Sequence, residues 1–169
     1  MAKPASSEFP EFYVPYIDRV ESNNLIDALK ATVQSTPEFI RSISSDKEDF
    51  RYAENKWTVK NVIAHMMDTE HIMAYRALRF ARNDATELAG FEESDYAQYD
   101  NADNRSLESL ASNFYNFRIS TIDLFSSFSE EMLKRSGTAN SLKISVLALG
   151  YIIAGHELHH LSILKERYF

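Results

Sequence analysis

The sequence predicts an all-α protein built as a four-helix bundle. Three observations carry that prediction: long runs of apolar residues at helical spacing, only four glycines and four prolines among 169 residues, and no stretch of alternating polar and apolar residues that reads as a strand. A chain of this length fits one domain and buries about two thirds of the surface its unfolded form would expose.

Residues 1–21 hold three of the four prolines together with Phe9, Phe12, Tyr13 and Tyr16, and read as an extended arm laid on the bundle, which itself occupies 22–169. A first helix is expected over about 23–44, capped at Asn23 or Asn24, with Leu25, Leu29 and Val33 inward and a kink or break at Pro37. The second runs over about 58–82 from a Thr58 cap, with Val62, His65, Met66, Thr69, Ile72, Met73 and Arg76 along one side. Residues 83–104 are acidic and irregular, a loop long enough to act as a lid or a crossover. The third helix shows Leu107, Leu110, Phe114, Phe117, Thr121, Leu124 and Phe128 at alternating spacings of three and four. After a turn at Gly137 and Asn140-Ser141, a fourth helix is expected from Leu142 to Tyr168, apolar nearly all round from Ile144 to Ile153 and therefore the most buried.

Composition removes several functions. With no cysteine there are no disulfides, thiolate zinc clusters or cysteine nucleophile, so any metal must be held by His, Asp or Glu. A net charge of −7 without a basic cluster argues against a nucleic-acid partner. The N-terminus has no apolar leader and no run reaches the ~20 residues of a membrane span, so a cytoplasmic protein with no membrane partner is expected. A core of this size needs no metal as a folding staple, so a bound metal is read as functional.

Three of the five histidines fall in His156-Glu157-Leu158-His159-His160. At about 100° per residue, His156 and His160 lie one turn apart on one helix face and continue its inward stripe, so both imidazoles can reach one ion. His159 lies off that stripe. His65 extends the inward stripe of the second helix in the same way. Three neutral imidazoles from two helices, with a coordination position left open, is the ligand set of a catalytic metal site. The same segment satisfies the H-E-x-x-H pattern of zinc peptidases, but the chain ends nine residues later without a third ligand. A di-iron reading through Glu157 and His160 needs inward carboxylates on the first and third helices, and the stripe of the third offers none.

Lys56-Trp57-Thr58-Val59-Lys60-x-Val62-Ile63-x-His65, then Asp68-Thr69-Glu70 and Tyr75-Arg76-Ala77-Leu78-x-Phe80-Ala81-Arg82, with Gly90-Phe91 and His156-x3-His160, together resemble the DinB-like family, also called YfiT-like, over about residues 22–167. The resemblance implies a long crossover after the second helix, a zinc or nickel ion on His65, His156 and His160, and a homodimer. It implies a metal-dependent hydrolase, or a transferase using a low-molecular-weight thiol such as bacillithiol, mycothiol or glutathione. One position departs: His71 stands where arginine is expected, and histidine would hold an anion only when protonated.

The expected function is thus a small-molecule enzyme in which a divalent transition metal activates water or a thiol. Asp68, one turn from His65, is the candidate for orienting an imidazole or the nucleophile, and Glu157 with His159 for proton transfer. Arg76 and Tyr75 are candidates for a wall that binds an anionic substrate or cofactor. The competing expectation is a non-catalytic protein that binds a ligand through its metal.

Overall fold

The computed structural model describes residues 2–169. Its helices are α1 Val14–Ile17, α2 Leu25–Lys30, α3 Ser35–Ser42, α4 Val59–Ala81, α5 Glu93–Tyr99, α6 Leu107–Ser126, α7 Glu130–Lys134 and α8 Val146–Ile163, with a hairpin of β1 Ser136–Ala139 and β2 Leu142–Ser145. The bundle consists of the α2/α3 pair, α4, α6 and α8. Each begins where a side chain can take up an orphan N–H: Asn24 caps Asp27 N at 3.1 Å, Thr58 caps Asn61 N at 3.0 Å, Ser106 caps Ser109 N at 3.1 Å and Ser145 caps Ala148 N at 3.0 Å. α8 is buried on every side from Val146 to Glu157, as its all-round apolar sequence requires. Among the described residues, no helix is long and apolar enough to cross a membrane.

Four expectations are corrected. The first helix is two, broken over 31–34 rather than kinked or broken at Pro37. Pro37 has no N–H to give and its ring clashes with a helical carbonyl one turn back, so α3 starts afresh at Ser35 and places Pro37 in its first turn, where the missing donor costs nothing. The fourth helix starts at Val146, not Leu142, because Leu142–Ser145 pairs antiparallel with Ser136–Ala139 around a two-residue turn in which Asn140 and Ser141 both take positive φ, 52° and 60°. The connection over 83–104 contains α5, and Leu88 joins the hairpin edge through Leu88 N to Thr138 O at 3.0 Å and Asn140 N to Leu88 O at 2.9 Å. The arm is not extended: it forms 3₁₀ turns and α1, and runs so close to α8 that a Cβ on Gly155 would stand 2.0 Å from the Tyr16 carbonyl oxygen. Only glycine permits that approach.

The core is not continuous. One apolar cluster gathers α2, Met73 to Ala81 of α4, the end of α6 and Val146 to Ala154 of α8. A second gathers Ile40, Val59 to Met67, Leu107 to Phe114, Leu161 and Leu164. Between them each helix contributes buried polar groups: Thr36 from α3, Thr69 and Glu70 from α4, Arg118 and Thr121 from α6, and His156 and Glu157 from α8. This belt divides into a side facing a cavity and a side closed within the bundle.

Candidate metal centre

On the cavity side, His65 comes from α4 and His156 and His160 from successive turns of α8. His65 Nε2 and His160 Nε2 each stand 3.1 Å from His156 Nε2, and the ligand atoms of all three histidines lie within 4.8 Å of one another. Two nitrogens held ~2.0–2.1 Å from a shared ion at an angle of about 100° would be about 3.1 Å apart, so the residues fit one tetrahedral transition-metal ion. Hydrogen bonding satisfies the trio poorly, because His156 Nε2 offers a single lone pair or a single N–H to two neighbouring nitrogens. A shared proton is disfavoured as well. Burial first, and the neighbouring histidines second, hold His65 down to about 4, His160 down to about 3 and His156 well below the usual imidazole range. All three are therefore neutral at pH 7, the ligating form.

The surroundings orient these rings. Trp57 packs at 4.8 Å from the His65 ring, and Tyr168 fixes this entrance to α4 by donating to the Trp57 carbonyl at 2.9 Å. From the arm, Tyr16 packs at 5.4 Å from the His156 ring and 5.2 Å from that of His159. His159 is half-buried beside His160, 5.0 Å between ring centroids, with its Nδ1 buried and unpartnered.

A cavity of about 190 Å³ extends from His156 along α4, walled by Thr69, Met73 and Arg76, by Phe12, Tyr13 and Tyr16 of the arm, by Phe91 and Glu93 of the crossover, and by the hairpin. The Thr69 hydroxyl is buried without a partner in this wall. Arg76, 5% exposed, donates to the Ala89 carbonyl at 2.8 Å and touches Met73 Sδ at 3.8 Å. Burial pushes the Tyr13 phenol up, so beside the Arg76 guanidinium it remains a neutral hydroxyl.

Of the remaining residues singled out in the sequence, Arg76 is the one brought to this cavity. Asp68 stands outside the histidine cluster and lines a separate cavity with His71, Tyr96 and Asp100, where burial raises its carboxyl. Tyr75 is 51% exposed and hydrogen-bonds Arg79 on the surface. Glu157 turns away from the histidines: it accepts from Thr32 at 2.7 Å, from Thr36 at 2.5 Å and from Arg118 Nη1 at 2.5 Å. Arg118, fully buried, also forms a two-pronged pair with Glu70, at 2.9 and 2.7 Å. With its carboxylate committed there, Glu157 has no free oxygen to carry a proton at the metal. His71 does not reach the cavity either; its ring stacks on Phe117 at 3.5 Å and its Nδ1–H donates to the Met67 carbonyl at 2.7 Å.

Sequence reasoning missed Arg118, Tyr13 and Tyr16. On α6 the buried positions are Leu107, Leu110, Ala111, Phe114, Arg118, Thr121, Ile122 and Phe125, so the expected stripe is buried at Leu107, Leu110, Phe114 and Thr121 but only partly at Phe117 and Leu124, where Arg118 and Phe125 turn inward instead. A strict count of helical period, with charge disregarded, would have placed Arg118 inside.

The comparisons agree with this architecture. YfiT from Bacillus subtilis, described as a probable metal-dependent hydrolase with an unusual four-helix bundle topology, is structurally similar, with a TM-score of 0.72 at 15% identity over 97% of this chain and 90% of that one. At that identity the likeness establishes the fold alone. No curated protein matches the sequence. The family model of the DinB superfamily matches residues 28–164, a span that holds all three clustered histidines together with Thr69, Arg76 and Arg118, and the chain belongs to that superfamily.

Proposed function

We propose that the protein is a metal-dependent hydrolase of small molecules, with a divalent transition metal, zinc or nickel, on His65, His156 and His160. The observation that carries this reading is the convergence of three neutral Nε2 atoms, one of them on His156, which lines a partly apolar cavity. A cation bound by neutral ligands keeps its full charge and supplies Lewis acidity, lowering the pKa of a nucleophile toward ~7. Met73, Ile144 and Ile152 supply the buried apolar wall of the cavity, and Thr69 Oγ1 in that wall has no hydrogen-bond partner in the protein. The Tyr13 hydroxyl and Arg76 N–H groups fix the far end of a substrate. Water suits this space better than a bulky thiol, since about 150 Å³ holds a molecule the size of benzene and a tripeptide-sized thiol would require the arm to move.

The test is elemental analysis of protein purified without a chelating tag, followed by turnover with small ester and amide substrates. About one equivalent of metal, with hydrolysis abolished by a chelator and by His156→Ala, is expected. Metal without turnover across the panel would replace the reading with a metal-dependent binding protein; turnover appearing only when a low-molecular-weight thiol is added would replace it with a transferase. Less than a tenth of an equivalent, unchanged in His156→Ala, would end it.

A further inference from the structure

Buried cations in folded proteins are paired with anions, because an uncompensated charge in a low-dielectric interior is costly. Arg118 obeys this rule with two carboxylates. Arg76 does not. Among the described residues no carboxylate lies within ion-pairing distance of it, and its protein acceptors are a backbone carbonyl, a thioether and the neutral Tyr13 hydroxyl beside it. Its charge faces a cavity whose wall also holds the unpartnered Thr69 hydroxyl. Two independent features, a cation without a counter-ion and a buried hydroxyl without a partner, thus mark the same space.

We propose that Arg76, with Tyr13 and Thr69, is the binding site for the carboxylate of a small, singly charged organic acid that occupies this cavity. The inference rests on the reading of the cavity as a substrate site and names the class of substrate. Single charge follows from one guanidinium that has no carboxylate within ion-pairing distance. A planar carboxylate matches the guanidinium fork in a way a point charge does not. The volume of about 190 Å³ admits roughly eight non-hydrogen atoms on the scale of a benzene-sized cavity. Cα atoms of His65 and Arg76 are about 16 Å apart along α4 at 1.5 Å per residue, and Arg76 leans back toward Met73, shortening that span. The carboxylate therefore binds at the end opposite the histidines, with several bonds between it and the group presented to them.

The experiment is calorimetric titration of the metal-free protein with benzoate, with benzamide and phenyl phosphate as neutral and doubly charged controls. Benzoate is expected to bind at least tenfold more tightly than either control, and Arg76→Gln to weaken it at least tenfold while leaving benzamide unchanged. Equal affinity for benzoate and benzamide, unchanged binding in Arg76→Gln, or binding that appears only after metal is restored would each overturn the proposal, the last by placing the carboxylate on the ion. If Arg76→Gln fails to fold, phenylglyoxal labelling of Arg76 in the wild-type protein decides: benzoate is expected to slow it at least tenfold, and an unchanged rate overturns the site. Benzoate binding without any metal or turnover would sink the hydrolase and keep the carboxylate site; turnover without benzoate binding would do the reverse.

Discussion

His65 Nε2 and His156 Nε2, on two different helices and 91 positions apart in sequence, stand 3.1 Å from each other in the interior. Replacing either by alanine is expected to lower metal affinity by more than about a hundredfold, since losing even a group that only supports a ligand costs about 10–100-fold. Competition titration against a chromophoric chelator reads this directly, and an affinity within threefold of wild type would remove the residue from the ligand set.

The same burial makes the metal-free protein sensitive to acid. His65 has a folded-state pKa near 4 and an ordinary unfolded value near 6.5, so between these pH values the unfolded chain binds the extra proton and the folded one does not. Stability therefore rises with pH across that window and is lost as pH falls from about 6.5 toward 4, by on the order of 3 kcal/mol for this one group. Urea unfolding of metal-free protein at pH 7, 5.5 and 4.5 should show the decline, and His65→Gln should flatten it. A profile unchanged by that substitution would mean that other groups set the acid limit.

Removing Arg118 leaves Glu70 and Glu157 buried against each other. Arg118→Met is expected to destabilise the protein by about 3–5 kcal/mol, and replacing both glutamates with glutamine in the same chain to recover much of it. Denaturant midpoints check the pair of outcomes. A mild loss in the single variant would show that water or a proton compensates the carboxylates.

Thr69→Val keeps the shape of the side chain and deletes a buried hydroxyl that has no partner. A gain in stability of about 1 kcal/mol is expected, together with weaker benzoate binding. If both stability and binding fall, the hydroxyl has a partner in the free protein.

Gly155→Ala would force the arm off α8, because its Cβ would overlap the Tyr16 carbonyl. A loss of about 1–3 kcal/mol is expected, with faster tryptic cleavage at Arg19, an exposed residue that follows α1. Metal affinity should fall as well, because Tyr16 of the arm packs on the ring of His156, the residue next to Gly155. Unchanged cleavage would mean the arm accommodates the methyl group.

The bundle was legible because four segments carry helical periodicity, and His156 and His160 because a spacing of four on a buried helix leaves one geometry for both imidazoles. His65 could be placed inward by the stripe of α4, though only the fold shows that it meets the other two. What escaped has physical reasons. Leu142-Lys143-Ile144 is too short to distinguish two-residue from 3.6-residue periodicity, so the hairpin read as the start of a helix. Arg118 escaped because a lone charge on an amphipathic helix reads as solvent-facing until its two acids, 48 and 39 positions away, are seen around it. Tyr13 and Tyr16 reach the cavity through the close approach at Gly155, which no local pattern records.

In α4, Thr69 faces the cavity and its neighbour Glu70 faces Arg118; in α8, His156 faces the histidine cluster and its neighbour Glu157 faces the same arginine. A turn of either helix about its axis would therefore pull a carboxylate off Arg118 at the same time as it swung a wall residue or a ligand out of place. One cation on a third helix, touching none of the three imidazoles, acts as a rotational lock on the two helices that carry them. Grafting the three histidines onto another bundle would transfer the ligands without that lock, and the transplanted site would need its own equivalent of Arg118 before the imidazoles pointed at one another.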